Sequence, residues 1–287
     1  MKNKLDTEYK RNTEVKPGEL LPPGMHRWAL CVEYSGTGLN GFQKQTTTVE
    51  TVQQKLESAL SKVANEPIAL VCAGRTDAGV HATGQVIHFD TLAVRHEKAW
   101  VQGVNTYLPD GIRVYWGREV GPYFHARFSA ERRTYHYLIH SAQVRSAVLQ
   151  KQVTWTQHAL DLESMQSAVV FLLGVHDFSA FRAAQCQSKS PVREVGAISI
   201  VQKGGFLVLQ ISANAFLHHM VRNIVGSIIE VGRGRQAPQW LASLLEGRDR
   251  ALAAPTAPPH GLYLVEVEYP RQFGLPQKDS VGPPFFG

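Results

Sequence analysis

Ala73-Gly74-Arg75-Thr76-Asp77-Ala78-Gly79-Val80-His81-Ala82-Thr83-Gly84-Gln85-Val86-Ile87-His88-Phe89 is the stretch from which the rest of the chain is read. Ahead of it, Ile68 to Cys72 is an apolar run of strand length. Behind the loop, Gln85 to Asp90 alternates in polarity, as a half-buried strand does. The stretch is therefore strand, glycine-bracketed loop, strand. Its one carboxylate is Asp77. Arg75 lies two residues earlier, and in extended backbone residues i and i+2 share a face. A guanidinium that close favours the ionised carboxylate, and glycine lets a ligand approach the backbone. Two readings stand. Thr76-Asp77-Ala78-Gly79 is a turn, since Asp and Gly are ordinary turn residues; or Asp77 is a nucleophile or base held ready beside Arg75.

Outward from this stretch the elements alternate in type. Trp28 to Tyr34 reads as a strand. Thr51 with Gln54 three residues on is a capping-box start, and Val52, Leu56, Leu60 and Val63 mark one helical face. His96 to Tyr107 is expected to be helical and Ile112 to Glu119 extended. The rhythm then repeats. Thr134 to His140 is a strand, and Leu162, Met165, Val169 and Leu172 define a helix that Gly174 stops. Val195 to Val201 and Phe206 to Ser212 flank Lys203-Gly204-Gly205 as a hairpin. Ala215 to Val231 and Pro238 to Glu246 read as helices and Leu262 to Tyr269 as the last strand. This order predicts an α+β protein of two pseudo-repeated halves, with a largely antiparallel mixed sheet and helices on one face. The expected boundaries are a flexible extension at 1–25, one domain at 26–123, a second at 124–269 and an irregular tail at 270–287.

The 287 residues carry a formal net charge of +6, with 44% hydrophobic and 19% charged residues. That is the make-up of a globular protein, and the modest positive excess is compatible with an anionic partner without naming one. Three cysteines, at 31, 72 and 186, form no CxxC pair, which argues against a disulfide framework or a cysteine zinc site. Twelve histidines are scattered. His81 and His88 lie seven apart, and His218 and His219, read as helical, point different ways, so no metal-ligand spacing arises. Neither a Walker A nor a Rossmann fingerprint is present. The N-terminus lacks an apolar run of signal-peptide length and no segment approaches a membrane span, so the expectation is a cytoplasmic protein without membrane contact.

Arginine and aromatic residues recur together. Phe124-His125-Ala126-Arg127-Phe128-Ser129-Ala130 precedes Arg132-Arg133-Thr134-Tyr135-His136-Tyr137. Arg133, Tyr135 and Tyr137 share a strand face, a combination able to stack bases and hold phosphates, or to form core with solvated arginines. Arg182 after Ser179-Ala180-Phe181, and Arg193 after Ser190-Pro191-Val192, sit where phosphate contacts are plausible. In Phe216-Leu217-His218-His219-Met220-Val221-Arg222-Asn223-Ile224, the residues Phe216, Met220 and Ile224 are expected on one helix face. Arg222 stands among apolar neighbours as a partner for a buried carboxylate, with Asp77 the obvious candidate.

Taken together, residues 28–269 resemble the tRNA pseudouridine synthase A family. Seven blocks carry the resemblance in order: Gly41-Phe42-Gln43 with Thr51-Val52-Gln53, Ala73 to Phe89, Phe124 to Ala130, Ser179 to Arg182, Ser190 to Arg193, His219 to Gly226, and Gly261-Leu262-Tyr263-Leu264. Two positions depart from the family pattern, Phe42 for its usual Trp and Thr106 for its usual Ala. The resemblance implies isomerisation of uridine to pseudouridine at positions 38, 39 and 40 of the tRNA anticodon stem-loop. It implies no metal and no organic cofactor, a homodimer that jointly holds the tRNA, and a basic cleft between the halves. By resemblance, Asp77 is the catalytic carboxylate, acting as nucleophile or as the base that removes a sugar proton, Arg75 helps extrude the nucleotide, Tyr135 stacks on the uracil and assists proton transfer at C5, Arg222 pairs with the carboxylate, and Leu262 walls off water. Arg127, Arg133, Arg182 and Arg193 are the candidate RNA contacts. Alternatives at this stage are a non-catalytic tRNA-binding module on the same scaffold and a metal-dependent nuclease.

Overall fold

A computed structural model describes residues 21–46 and 49–276. The greater part of the expected N-terminal extension, and residues 277–287 of the expected tail, lie outside the described residues. Ten strands, mostly paired antiparallel, and five α-helices are present among those described. Among the described residues no helix is long and apolar enough to cross a membrane. The described residues divide into two compact units, one made of 21–46, 49–78, 82–131 and 267–276, the other of 79–81 and 132–266.

In the first unit, β1 (His26–Tyr34) lies between β4 (Ile112–Val120) and β3 (His81–Thr91), and β2 (Leu70–Cys72) also pairs with β3. Helix α1 (Val52–Ala64) starts as its sequence predicts: Thr51 Oγ1 accepts the Gln54 N–H at 3.3 Å, satisfying one of the helix's unpaired first-turn donors. Its buried face is Val52, Leu56, Ala59, Leu60 and Ala64. The segment expected to be helical from His96 is helical from Glu97 and passes into a π-helical turn at Ala99–Gly103 that continues into α2 (Val104–Tyr107), and Trp100 packs its ring on Trp28 and Phe89 at 5.9 and 5.0 Å. Arg27, 1% exposed, is opposite Asp90 in the β1–β3 ladder. The two form a bidentate pair at 2.7 Å per bond, and Arg27 Nη1 also donates to the carbonyls of Pro122 and Phe124. Four of the five guanidinium N–H donors are thus matched, the condition under which such a buried pair is tolerated.

The second unit orders its strands β10 (Leu262–Glu268), β5 (Arg132–Ser141), β9 (Phe206–Ala213), β8 (Val192–Lys203), β7 (Gly174–Asp177), with β6 (Thr154–Thr156) parallel to β5. The hairpin expected at Lys203-Gly204-Gly205 forms: Lys203 pairs with Phe206, and Gly204 takes φ +56° in the two-residue turn. Helix α3 (Leu162–Val169) is capped by Asp161, which accepts from the N–H groups of Glu163 and Ser164. It runs on as a 3-10 turn to Leu172 before Gly174 at φ +98°. Strands β6 and β7 are too short and mixed in polarity to stand out in the sequence. Helices α4 (Met220–Gly232) and α5 (Trp240–Gly247) complete the unit.

The helix expected from Ala215 therefore begins five residues late. His219 adopts φ +61°, the left-handed region that costs a non-glycine residue about 1–2 kcal/mol. The residues before it are tied elsewhere: the His218 N–H reaches Cys186 Sγ at 3.4 Å, and the Ala183 N–H donates to the His218 carbonyl at 3.1 Å. Phe216 consequently lies ahead of the helix and does not share a face with Met220 and Ile224. His218 and His219 do not splay; their rings lie 4.0 Å apart.

Candidate active site

In the first unit the loop around Asp77 is fixed from three directions. The Ala73 N–H continues the ladder by donating to Val86 O at 2.8 Å. Gln85, wholly buried, turns its carboxamide onto Gly74, donating to Gly74 O at 2.6 Å and accepting from Gly74 N at 3.4 Å. Tyr34 and Thr76 share a hydroxyl hydrogen bond of 2.8 Å, and the Phe42 N–H donates to Thr76 O at 3.0 Å. Gly41 makes that last approach possible. It sits at φ +80°, and a Cβ there would lie 2.7 Å from Thr76 O, so only glycine fits. Phe42 packs its ring on Tyr34 at 6.0 Å. Thr76 points inward, while exposed Arg75 and half-buried Asp77 flank it. This is the alternation that extended backbone imposes.

Arg127 belongs to the same unit and is exposed. Its loop is built on histidines. Ala126 donates its N–H to His88 Nδ1 at 3.1 Å, and His125 Nδ1 accepts from the N–H groups of Arg127 and Phe128, each at 3.1 Å. Those roles need unprotonated Nδ1 atoms. Desolvation, with Arg27 nearby, lowers His125 to about 4 and holds His88 well below the ordinary range. Arg75 and Arg127 both exert a pull on the Cys72 thiol, which burial nonetheless pushes up to about 12.

In the second unit Arg133, Tyr135 and Tyr137 lie on β5. Arg133 donates to Asn214 O at 2.9 Å, and Tyr135 meets Phe216 edge to face at 5.0 Å. Tyr137 is core: its hydroxyl donates to Pro258 O at 2.7 Å and bonds Thr154 at 2.6 Å, and burial raises its pKa. Arg222 is the third residue of α4. Its Nε donates to Ala257 O at 2.8 Å, and the Ala257 N–H returns to Arg222 O at 3.1 Å. This seam is tight. A Cβ on Gly226 would fall 2.1 Å from Pro255 O, and one on Gly261 2.6 Å from Leu138 O. Leu262, buried, follows directly on Gly261. His81, which the division groups with this unit, stacks on Tyr263 at 4.6 Å, meets Lys151 O through Nε2 at 3.0 Å, and is lowered to about 4 by desolvation.

Arg182 and Arg193 converge on one loop. Arg182 donates to the carbonyls of Cys186 and Ser188 at 2.9 and 2.7 Å, and Arg193 to Ser188 Oγ at 2.6 Å and Ser190 O at 3.0 Å. These bonded donors shape residues 186–190.

Two residues that the sequence reading passed over hold the site segments. Gln85 is one; its signal was its place on the same strand face as Ile87 and Phe89. Asn223 is the other. Fully buried, it donates to Phe181 O at 2.8 Å, and its Oδ1 accepts from Thr256 Oγ1 at 2.6 Å and Arg250 Nη2 at 3.2 Å. A polar residue among Val221, Ile224 and Val225 was the available hint.

The family model described as tRNA pseudouridine synthase matches residues 30–129 and 168–270. The chain belongs to the tRNA pseudouridine synthase A family. It is 55% identical over 259 residues to tRNA pseudouridine synthase A of Shewanella amazonensis, covering 90% of this chain and 98% of that one. It is 54% identical over 267 residues to the Enterobacter sp. (strain 638) protein of the same name, covering 93% and 97%. The Actinobacillus pleuropneumoniae serotype 3 protein is 55% identical over 257 residues, covering 90% and 97%. A solved chain of a Cbf5-Nop10-Gar1 complex aligns at 11% identity and a TM-score of 0.30, over 70% of this chain and 45% of that one. The matched residues of the synthase model include Arg75, Asp77, Arg127, Arg182, Arg193, Arg222 and Leu262, and stop short of Arg133 and Tyr135.

Proposed function

We propose that this chain isomerises uridine to pseudouridine at positions 38, 39 and 40 of the tRNA anticodon stem-loop, with Asp77 as its catalytic carboxylate. The activity is that of its family, a tRNA pseudouridine synthase and thus an isomerase. The identity of 54–55% across nine-tenths of the chain carries the reading. The reaction breaks the bond from uracil N1 to C1′ and forms one from C5 to C1′. A proton leaves C5 and one is gained at N1, so no atom is lost overall. An ionised carboxylate serves either route into this exchange, attack at C1′ or removal of a sugar proton. The pinned loop supports that role, because a carboxylate held in place spends little reorganisation on reaching its target.

In this reading Arg75, exposed beside Asp77, helps extrude the nucleotide, a step that costs a few kcal/mol. Tyr135 stacks on the uracil and assists proton transfer at C5. Arg222 pairs with the carboxylate, and Leu262 excludes water from the detached base. Arg127, Arg133, Arg182 and Arg193 contribute to RNA binding, directly or by shaping the loops they hold. The rest of the reading follows from the resemblance: two pseudo-repeated halves with helices on one sheet face and a basic cleft, a cytoplasmic homodimer, and chemistry without metal or organic cofactor.

The test is site mapping of pseudouridine in an unmodified anticodon stem-loop transcript treated with pure protein. Wild type should convert uridines at 38–40. Asp77→Asn should convert none while binding the RNA with little change in Kd. Wild-type turnover by Asp77→Asn would remove Asp77 from the mechanism, and an inactive wild type that still binds would favour the non-catalytic module.

A further inference from the structure

Phe128 is one of several large apolar residues that the first unit exposes, and it is set apart by how firmly it is held. Its neighbours Phe124 and Ala126 are fully buried, packed with Ala73 at the head of the Asp77 loop and with Val86. Phe128 itself is 63% exposed. It is nevertheless held in place. Its N–H is bonded to His125 Nδ1, its ring lies 4.4 Å from the His125 ring at 31°, and the Arg127 guanidinium carbon is 5.6 Å from its centroid. The His125 N–H in turn donates to Ser129 Oγ, and the Ser129 N–H to His125 O, closing the turn. A rigid turn that uses three hydrogen bonds to present an aromatic ring to solvent next to an arginine is a pattern suited to binding nucleic acid: every base has a π-face to lay on the ring, and a guanidinium beside it matches a phosphate in charge and hydrogen bonding.

We propose that Phe128, with Arg127 beside it, is a stacking platform for an unpaired base of the RNA substrate, anchored through Ala126 and Ala73 to the loop that carries Asp77. The proposal rests on the RNA-modifying function proposed above and extends it to a contact residue. The excess positive charge of the chain and the cation at the ring argue for an anionic, base-bearing occupant. A protein partner would gain from the ring alone, without need of Arg127.

The experiment measures Kd of full-length protein for an anticodon stem-loop RNA and for a fully paired duplex of equal length, across a salt series. Phe128→Ala and Phe128→Leu should each weaken stem-loop binding by about tenfold or more, since stacking on an aromatic is what both lose. Phe128→Trp should stay within about threefold of wild type, because the π-face is kept. Duplex binding should be unaffected by all three. The salt slope of log K should be unchanged in the Phe128 variants and shallower by about 0.7–1 in Arg127→Gln, which removes a phosphate contact. Wild-type affinity in Phe128→Leu overturns the proposal, as does an equal penalty on duplex. A changed sedimentation mass in the Phe128 variants also overturns it, making the ring a protein contact. Pseudouridine formation by wild type is scored in parallel. If wild type is active and Phe128→Leu binds normally, the platform alone fails; if wild type is inactive, the functional reading fails.

Discussion

The carboxamide of Gln85 grips Gly74 in both directions, donating to its carbonyl at 2.6 Å and accepting from its N–H at 3.4 Å, with Asp77 three residues beyond. Gln85 is wholly buried, and both bonds reach a backbone group that is half-buried. Gln85→Ala leaves the Gly74 carbonyl without this buried donor and should cost about 2–3 kcal/mol of stability. A displacement of Asp77 by about 1 Å is enough for a loss of roughly 100-fold in turnover. The expected result is a large fall in kcat with stem-loop Kd little changed, read by single-turnover kinetics and RNA titration. Gln85→Glu should behave similarly, because it loses the donor.

Gly41→Ala should damage the same loop from the opposite side. Two penalties combine, backbone strain at φ +80° and a Cβ only 2.7 Å from Thr76 O. Gly38 supplies the control. Its φ is +78°, yet nothing lies within 4 Å of its would-be Cβ. Gly38→Ala should cost about 1–2 kcal/mol, the left-handed strain alone. Gly41→Ala should cost clearly more and lower turnover as well. Urea midpoints for the pair, with rates alongside, separate strain from contact.

Asn223→Ala removes one donor and one doubly used acceptor from a site with no exposure. Phe181 O loses its donor, and Arg250 and Thr256 lose their shared acceptor. A loss of about 3 kcal/mol is expected, since removing one side of a buried network leaves the other unsatisfied. Because Arg222 precedes it on α4, turnover should fall further than RNA affinity. Asn223→Asp keeps the acceptor and should recover part of the stability. Equal melting temperatures for wild type and Asn223→Ala would contradict the network.

The histidines make stability depend on acid. His81 and His125 are lowered from 6.5 to about 4, chiefly by desolvation, and His88 lies well below its ordinary value. Between those limits the unfolded chain binds more protons than the folded one, so stability rises with pH. It should be full above about pH 6.5 and fall progressively as the pH drops towards 4. Denaturation midpoints from pH 8 to 4 measure this. In His125→Asn the amide oxygen can still accept backbone N–H bonds without titrating, and the slope should become shallower.

Much of this molecule was legible in its sequence, and the omissions have physical causes. Thr51 with Gln54 announced α1, and Gly204-Gly205 announced the β8–β9 hairpin, because caps and turns depend on residues adjacent in the chain. The late start of α4 was not legible. Helix propensity runs continuously through Ala215 to Val231, and what stops it is the tether of residues 218 to residues 183 and 186, more than thirty positions away. The same tether places the two histidine rings 4.0 Å apart, tilted at 39°, where helical geometry would separate them. Arg182 and Arg193 were legible as clustered cations, but the loop carbonyls they would bind were not.

The alternating strands and helices, Asp77 beside Arg75 in a glycine-bracketed loop, and the family can all be read along the chain. Each of these is written in local pattern or in ordered blocks of residues. What holds that loop is settled by packing between distant segments. Gln85 was given to Gly74, Tyr34 and the Gly41–Phe42 turn to Thr76, and Asn223 to three segments around Arg222. A hydrogen-bonding side chain specifies that it needs a partner. Which partner it meets depends on which backbone groups packing carries within 3 Å, and no spacing along the chain encodes that.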